Sequence, residues 1–345
     1  MEEKKNRLSY IDTARGIAII AIILGHLGNS DLNRVVFTFH VPIFFLISGY
    51  FISRKDSYPA FIRKKARSLL VPYLTASLLI ILFSIIRNMY YPTGESHKAV
   101  AMDWLKAALY GAGDTWDKPF HIRGIGAIWF LWATFWGLIL LRPILRLPRI
   151  FRPILCFGLP YAGYYSFRHY YWFPLSIQAG LAALGFMYIG FLAKEYRNTL
   201  DKIPEKGKQL AMLLSFILWF TFIYDFKVFW LVHCDFGRGW WDILRSLAGC
   251  WCVILIAKML DHSFKHLAGW LASPGRNSIL ILCLHILELN CFPWRNFTDY
   301  LGRCGIAPLN ILYIRIALKL VWALGLTFIL TRLRPVRKLF CLKEK

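Results

Sequence analysis

The first long apolar segment of the chain holds the basic residues Arg15 and His26. Such side chains are costly at membrane depth, so each is a functional candidate unless a partner explains it. Eleven positions of α-helix turn through about 1100°, which is three turns plus roughly 20°. Arg15 and His26 would therefore share one helix face, roughly 16 Å apart along its axis. A guanidinium grips phosphate with a fixed fork, and an imidazole is a base of near-neutral pKa. One face thus suits a long ligand, anionic at one end and reactive at the other. The alternative is structural: Arg15 snorkels to lipid headgroups and His26 bonds a neighbouring helix.

Other polar residues carry two readings as well. His40 precedes Pro42, and proline is common at helix starts for structural reasons alone. His40 also begins the second apolar run where His26 ends the first. His285 and Glu288 lie nearly one turn apart on one face, either touching a substrate or holding helices together. Arg315 and Lys319 share a face of the last apolar run, which suggests a lumen, an anion or snorkelling. Ser48 and Gly49 lack a surrounding G-x-S-x-G, so they read as a packing pair. The connection 91–124 holds Asp103, Asp114, Asp117, His121 and Arg123, and the connection 227–239 holds His233, Asp235 and Arg238. The Trp and Tyr residues beside both form either an interfacial belt or a platform for sugars. Most of the eight cysteines lie in apolar runs, where Cys behaves as a small hydrophobe. Cys250 and Cys252 are not followed by a second pair at zinc-finger spacing, so no metal site is expected.

Composition defines the elements that position these groups. Hydrophobic residues make up 57% of 345 residues and mean hydropathy is +0.47, against about 45–50% apolar in soluble domains. The reading is an all-α bundle of transmembrane helices, a single domain over 1–345 with no attached soluble domain. Ten spans are expected at about 11–29, 36–53, 69–90, 125–142, 151–167, 172–193, 209–226, 240–260, 275–292 and 308–331. Residues 102–110 read as a short interfacial helix. Every second connection is strongly basic, from Lys4, Lys5 and Arg7 through Arg142 and Arg146 to a tail that includes Lys343 and Lys345. Lys and Arg concentrate on the cytoplasmic side of membrane proteins, so both termini are expected there. The net charge of +23 lies in these short clusters rather than on one module, which argues against nucleic-acid binding. The first apolar run lacks a small-residue cleavage site, so it is read as a span and not a signal peptide.

The opening RLSYIDTARGIAIIAIILGH, then FTFHVPIFFLISGYFISRK and FIRKKARSLLVPYL, resemble the opening motifs of the acyltransferase-3 family of membrane-bound acyltransferases. AIWFLWATFW at 127–136 and GRNSILILCLH at 275–285 resemble that family's fourth-helix and late Asn-Ser…His segments. The pattern looks closest to the fucose-O-acetylase-like branch. The resemblance implies acyl transfer from cytoplasmic acyl-CoA, usually acetyl-CoA, to a hydroxyl of a carbohydrate carried outside. It implies Arg15 and His26 as the central pair, and His40 near the acceptor. Arg63, Lys64 and Arg67 would lie at the mouth for CoA. The chain departs from the family where Trp129 is followed by FLWATF without a carboxylate, which puts a Glu-assisted mechanism in doubt.

Together these readings give an O-acetyltransferase of a plasma membrane, acting on a cell-surface or precursor saccharide, free or lipid-linked. No bound cofactor is expected, and acetyl-CoA is the donor substrate. Arg15, Arg63, Lys64 and Arg67 would hold CoA phosphates. His26 would act as general base or carry the acyl group covalently. His40, Trp129, His285, Glu288 and His121 are the candidate acceptor residues. A second acyl group such as succinyl is the variant on the same scaffold. The competing class is a transporter for a saccharide or anion, its path lined by Arg15, His285, Arg315 and Lys319. Paired broken helices in two halves would favour that class, and none is evident.

Overall fold

The computed structural model of the chain describes residues 8–92 and 94–342. Lys4, Lys5, Arg7, Lys343 and Lys345, which entered the charge pattern, lie outside the described residues. Within them the protein is all-helical. The helices are α1 Ser9–Gly25, α2 Ser30–Val36, α3 Pro42–Tyr50, α4 Tyr58–Lys65, α5 Val71–Tyr90, α6 His97–Tyr110, α7 Trp129–Ile144, α8 Phe151–His169 and α9 Ile177–Glu195. There follow α10 Arg197–Asp201, α11 Glu205–Tyr224, α12 Trp240–Ser263, α13 Lys265–Arg276, α14 Ser278–Cys291, α15 Trp294–Arg303, α16 Pro308–Leu320, α17 Leu326–Leu330 and α18 Arg334–Leu339. One π-turn, Ala66–Leu70, joins α4 to α5, and another, Val321–Gly325, joins α16 to α17.

Five continuous helices are long and apolar enough to cross a membrane, and the α14–α15 pair, bent by 65°, gives a sixth. The other expected spans are helical but shorter, broken or, for α8 with its Arg152, Arg168, Pro160 and tyrosines, less apolar. The segment 36–53 is a turn followed by α3, whose nine residues rise only about 14 Å, against a hydrocarbon core of about 30 Å. Its break follows from Pro42, which cannot donate a backbone hydrogen bond and starts a helix instead. The segment 261–274, read as a connection, is largely α13. Pro274 in its last turn hid this helix from the apolar pattern. The short helix expected at 102–110 starts earlier, at a Ser96 cap whose hydroxyl accepts from Ala99 N–H, 3.2 Å away.

Two glycine crossings set the packing around the first helices. A Cβ on Gly16 would strike the carbonyl of Leu271, and one on Gly275 the carbonyl of Asp12. Those glycines let α1 and α13 touch backbone to backbone. Gly49 against Met187 and Gly190 against Leu46 repeat the arrangement between α3 and α9. This is the small-residue packing expected where lipid supplies no hydrophobic drive between helices, and it gives Ser48–Gly49 the packing role read from sequence.

Arg142, counted in sequence with a basic connection, is only 1% exposed. Its guanidinium donates to the carbonyls of Ser57, at 3.3 Å, and Asp56, and lies 4.4 Å over the Phe61 ring. It therefore ties the start of α4 to the end of α7.

At the far end of α11, Asp225 accepts from Arg238 at 2.7 Å and from the buried Arg245 at 2.8 Å, and Arg245 also pairs with Asp242. Above all the Arg238 hydrogen bond, helped by Arg245, holds the Asp225 carboxyl down at about 2. A depressed carboxylate stabilises the fold fully above its unfolded value, near 4. That stabilisation is lost as pH falls from about 4 through about 2. The melting temperature of detergent-purified protein should accordingly drop over that interval. Asp225→Asn should melt lower at neutral pH and lose part of the acid sensitivity. An acid limb identical to wild type would contradict the clamp.

Candidate active site

α1 carries Asp12 and Arg15 in its first turns, and His26 follows its last residue as the C-cap. No side chain caps its first turn; packing on α12, α13 and α14 fixes it instead. At its Arg15 end, Arg15 and Lys64 lie within electrostatic reach of Lys65. Arg63, Lys64 and Arg67 project there as exposed side chains on α4 and the π-turn after it, with Lys64 3.6 Å from Asp56. This end is a basic patch in which Arg15 and Lys65 are set back from the surface.

At the opposite end of α1, three histidines converge. The rings of His26 and His285 meet edge to face, centroids 5.1 Å apart. His40 lies within electrostatic reach of His26 and stacks on Phe37 at 4.8 Å. His26 Nδ1 is 2.8 Å from the carbonyl of Ile22, and His40 Nδ1 is 2.8 Å from that of Val36. A carbonyl can only accept, so each Nδ1 carries the hydrogen. A neutral imidazole has one N–H, so both Nε2 atoms keep a lone pair and can act as bases.

His285 has no exposed surface, and its Nδ1 lies 3.0 Å from Glu288 Oε1. That contact is out of line for a hydrogen bond, and neither ring nitrogen of His285 makes a well-formed one among the described residues. Leaving a buried polar group unsatisfied costs about 1–3 kcal/mol, so such a group marks a candidate substrate position. Glu288 Oε1 accepts from Lys319 Nζ at 2.7 Å, and Oε2 accepts from the indole N–H of Trp294. The 65° bend between α14 and α15 brings Trp294 back over this pair, and Lys319 lies 4.3 Å from its ring centroid.

The remaining candidates sit elsewhere. Trp129 is buried at the start of α7, its indole against Gly113. Val232 of the connection 227–239 meets the same glycine, and Gly126 packs on Ile286 and Asn290 of α14. The two connections thus lie over the histidine end of the bundle. His121 is exposed and paired with Asp117 at 2.7 Å, apart from the three histidines. A cavity of about 390 Å³ lies between α8, α9 and α12, lined by Tyr161, Tyr164, Arg168, Phe186, Arg238 and Trp240 among others, and contains no histidine. Among the described residues no three of His, Cys, Asp and Glu gather as a metal-ligand set.

Sequence reasoning paired Arg15 with His26 and His285 with Glu288. It did not place His285 against His26, or Lys319 on Glu288. The signal was present, since Glu288 and Lys319 are opposite charges in apolar runs and such charges pair. Their separation of 31 residues left the partner undetermined.

Comparison with known proteins bears on this geometry. The profile of an acyltransferase domain, that of the acyltransferase-3 family, matches residues 8–332. The nodulation protein NolL of Sinorhizobium fredii is 28% identical over 166 residues, which cover 44% of this chain and 40% of that protein. The chain thus matches less than half the length of that relative. No solved structure matches the chain.

Proposed function

The chain is a membrane protein of the acyltransferase-3 family, and we propose that it moves an acetyl group from acetyl-CoA to a hydroxyl of a saccharide. The observation that carries this reading is the line from a basic patch at Arg15 to imidazoles with bare Nε2 atoms at His26. CoA offers phosphates at one end and a thioester at the other, in the order the helix face suits. Arg15, with Arg63, Lys64 and Arg67, binds the nucleotide phosphates through charge-assisted bonds. The pantetheine arm runs along α1. The acceptor hydroxyl arrives beneath the connections that lie over the histidines, and His40, Trp129, His285 and Glu288 border its position. On the ten-span reading with cytoplasmic termini, which the alternating basic connections support, the basic patch lies on the cytoplasmic side.

In the reaction, the acceptor oxygen attacks the thioester carbonyl carbon. The new C–O bond forms, the C–S bond breaks, and His26 Nε2 takes the hydroxyl proton. That proton then passes to the departing CoA sulfur. General-base help of this kind contributes about 10²–10⁴-fold.

The reading is tested with acetyl-CoA alone. Water can stand in for the acceptor, so detergent-purified protein should hydrolyse acetyl-CoA slowly without saccharide. Arg15→Ala and Arg63→Ala should each raise the KM for acetyl-CoA about tenfold, one charged hydrogen bond of about 1.5 kcal/mol, with kcat little changed. A saccharide or anion transporter would show no such hydrolysis. Unchanged KM in both variants would remove the phosphate site from this end of α1.

A further inference from the structure

Lys319 has no exposed surface, and the Glu288 side chain it meets is 3% exposed. Removing two charges from water costs several kcal/mol per ion, and an ion pair so deep often adds nothing net to stability. Replacing such a pair with apolar residues is frequently neutral or stabilising. Stability alone therefore explains the pair poorly, whereas its surroundings suggest a use. Oε1 of Glu288 is shared between Lys319 and His285, while Trp294 holds Oε2. The neighbour of His285 on the other side is His26. The helix bearing Lys319 runs directly into the π-turn Val321–Gly325, a distortion frequent at functional sites.

We propose that Glu288 and Lys319 are positioning residues for the reaction: Lys319 holds the Glu288 carboxylate 3.0 Å from Nδ1 of His285, and so biases that ring's tautomer and its place beside His26. The carboxylate lies 3.0 Å from Nδ1, out of line for a hydrogen bond, so its negative charge favours the proton on that nitrogen and Nε2 is left bare. Lys319 keeps the carboxylate in place and balances its charge. The inference rests on the proposed role of His26 and deepens it, because it gives His285 a place beside the base as well as along the acceptor's border.

The test uses the full-length protein in detergent, with acetyl-CoA as donor and water as acceptor. Either single apolar replacement leaves a buried charge alone and can unfold the protein. The informative variant is Glu288→Met/Lys319→Met, which removes both charges. Its melting temperature and acetyl-CoA KM should stay near wild type. Its kcat should fall about 10–100-fold, as when a carboxylate orienting a metal-bound histidine is removed. The charged and titratable groups near His285 are His26, Glu288 and Lys319, with Arg315 beyond Lys319 and His40 beyond His26. A wild-type kcat in the folded double variant would overturn the proposal. Should that variant fail to fold, Glu288→Gln keeps the shape without the charge and is read per folded molecule; unchanged kcat there overturns the proposal equally. His26→Gln in the same assay separates the two claims. Full activity in it refutes the base itself. An inactive His26→Gln beside a fully active double variant refutes only the positioning role.

Discussion

His26→Ala is expected to lower acetyl transfer per folded molecule by about 10²–10⁴-fold while leaving acetyl-CoA binding almost unchanged. The ring's only hydrogen bond among the described residues runs from Nδ1 to the Ile22 carbonyl in its own helix. That bond contributes about 1 kcal/mol, and no other helix depends on it, so the variant should remain folded. His26→Gln is the sharper comparison, because an amide can replace the hydrogen bond but cannot take a proton. It should melt like wild type and remain inactive. The wild-type rate should fall as pH drops through the working pKa, because a protonated imidazole cannot accept the hydroxyl proton. If His26 served only to hold helices together, lost activity would track lost fold, and glutamine would restore both.

The second large effect is on stability. Gly190→Val should unfold the protein or lower its melting temperature steeply, at or above the upper end of the roughly 1–3 kcal/mol typical of overpacking. A side chain there meets the backbone carbonyl of Leu46, which cannot rotate aside, so α3 and α9 must part. The same holds for Gly49 against Met187. Gly158 on α8 is the control, since a Cβ there meets nothing within 4 Å. Gly158→Ala should be neutral or stabilising by up to about 1 kcal/mol, the helix-propensity difference. Melting curves of the three variants decide the matter. A Gly190→Val protein that melts with wild type would mean that the helices do not cross at this distance.

Sequence periodicity carried the helical class, because it depends on neighbours along one helix. It missed α13, whose amphipathic turns contain Lys265, His266 and Pro274 and so lack the uniform apolar run of a span. It joined the turn before Pro42 to α3, since hydropathy does not register a missing backbone donor. The convergence of His26, His40 and His285 lay beyond it for a different reason. Those residues come from distant segments, and only the packing of α1, the turn before α3, and α14 brings them together. Burial likewise reversed the reading of Arg142, whose charge sits beneath α4 rather than in a solvated connection. His121 shows the opposite limit: its type suited a site, but its place on an exposed connection paired with Asp117 keeps it from the others.

The central claim is that an acetyl group passes from CoA to a saccharide hydroxyl with His26 as the base. Inverted membrane vesicles from cells expressing the protein expose the side predicted to be cytoplasmic. Supplied with acetyl-labelled acetyl-CoA, vesicles with wild-type protein should accumulate label in their glycan fraction, releasable as acetate by mild alkali, as an ester requires. Vesicles with an equal amount of folded His26→Gln protein should accumulate none above background. Equal labelling by the two, or labelled glycan absent from both, would contradict the account.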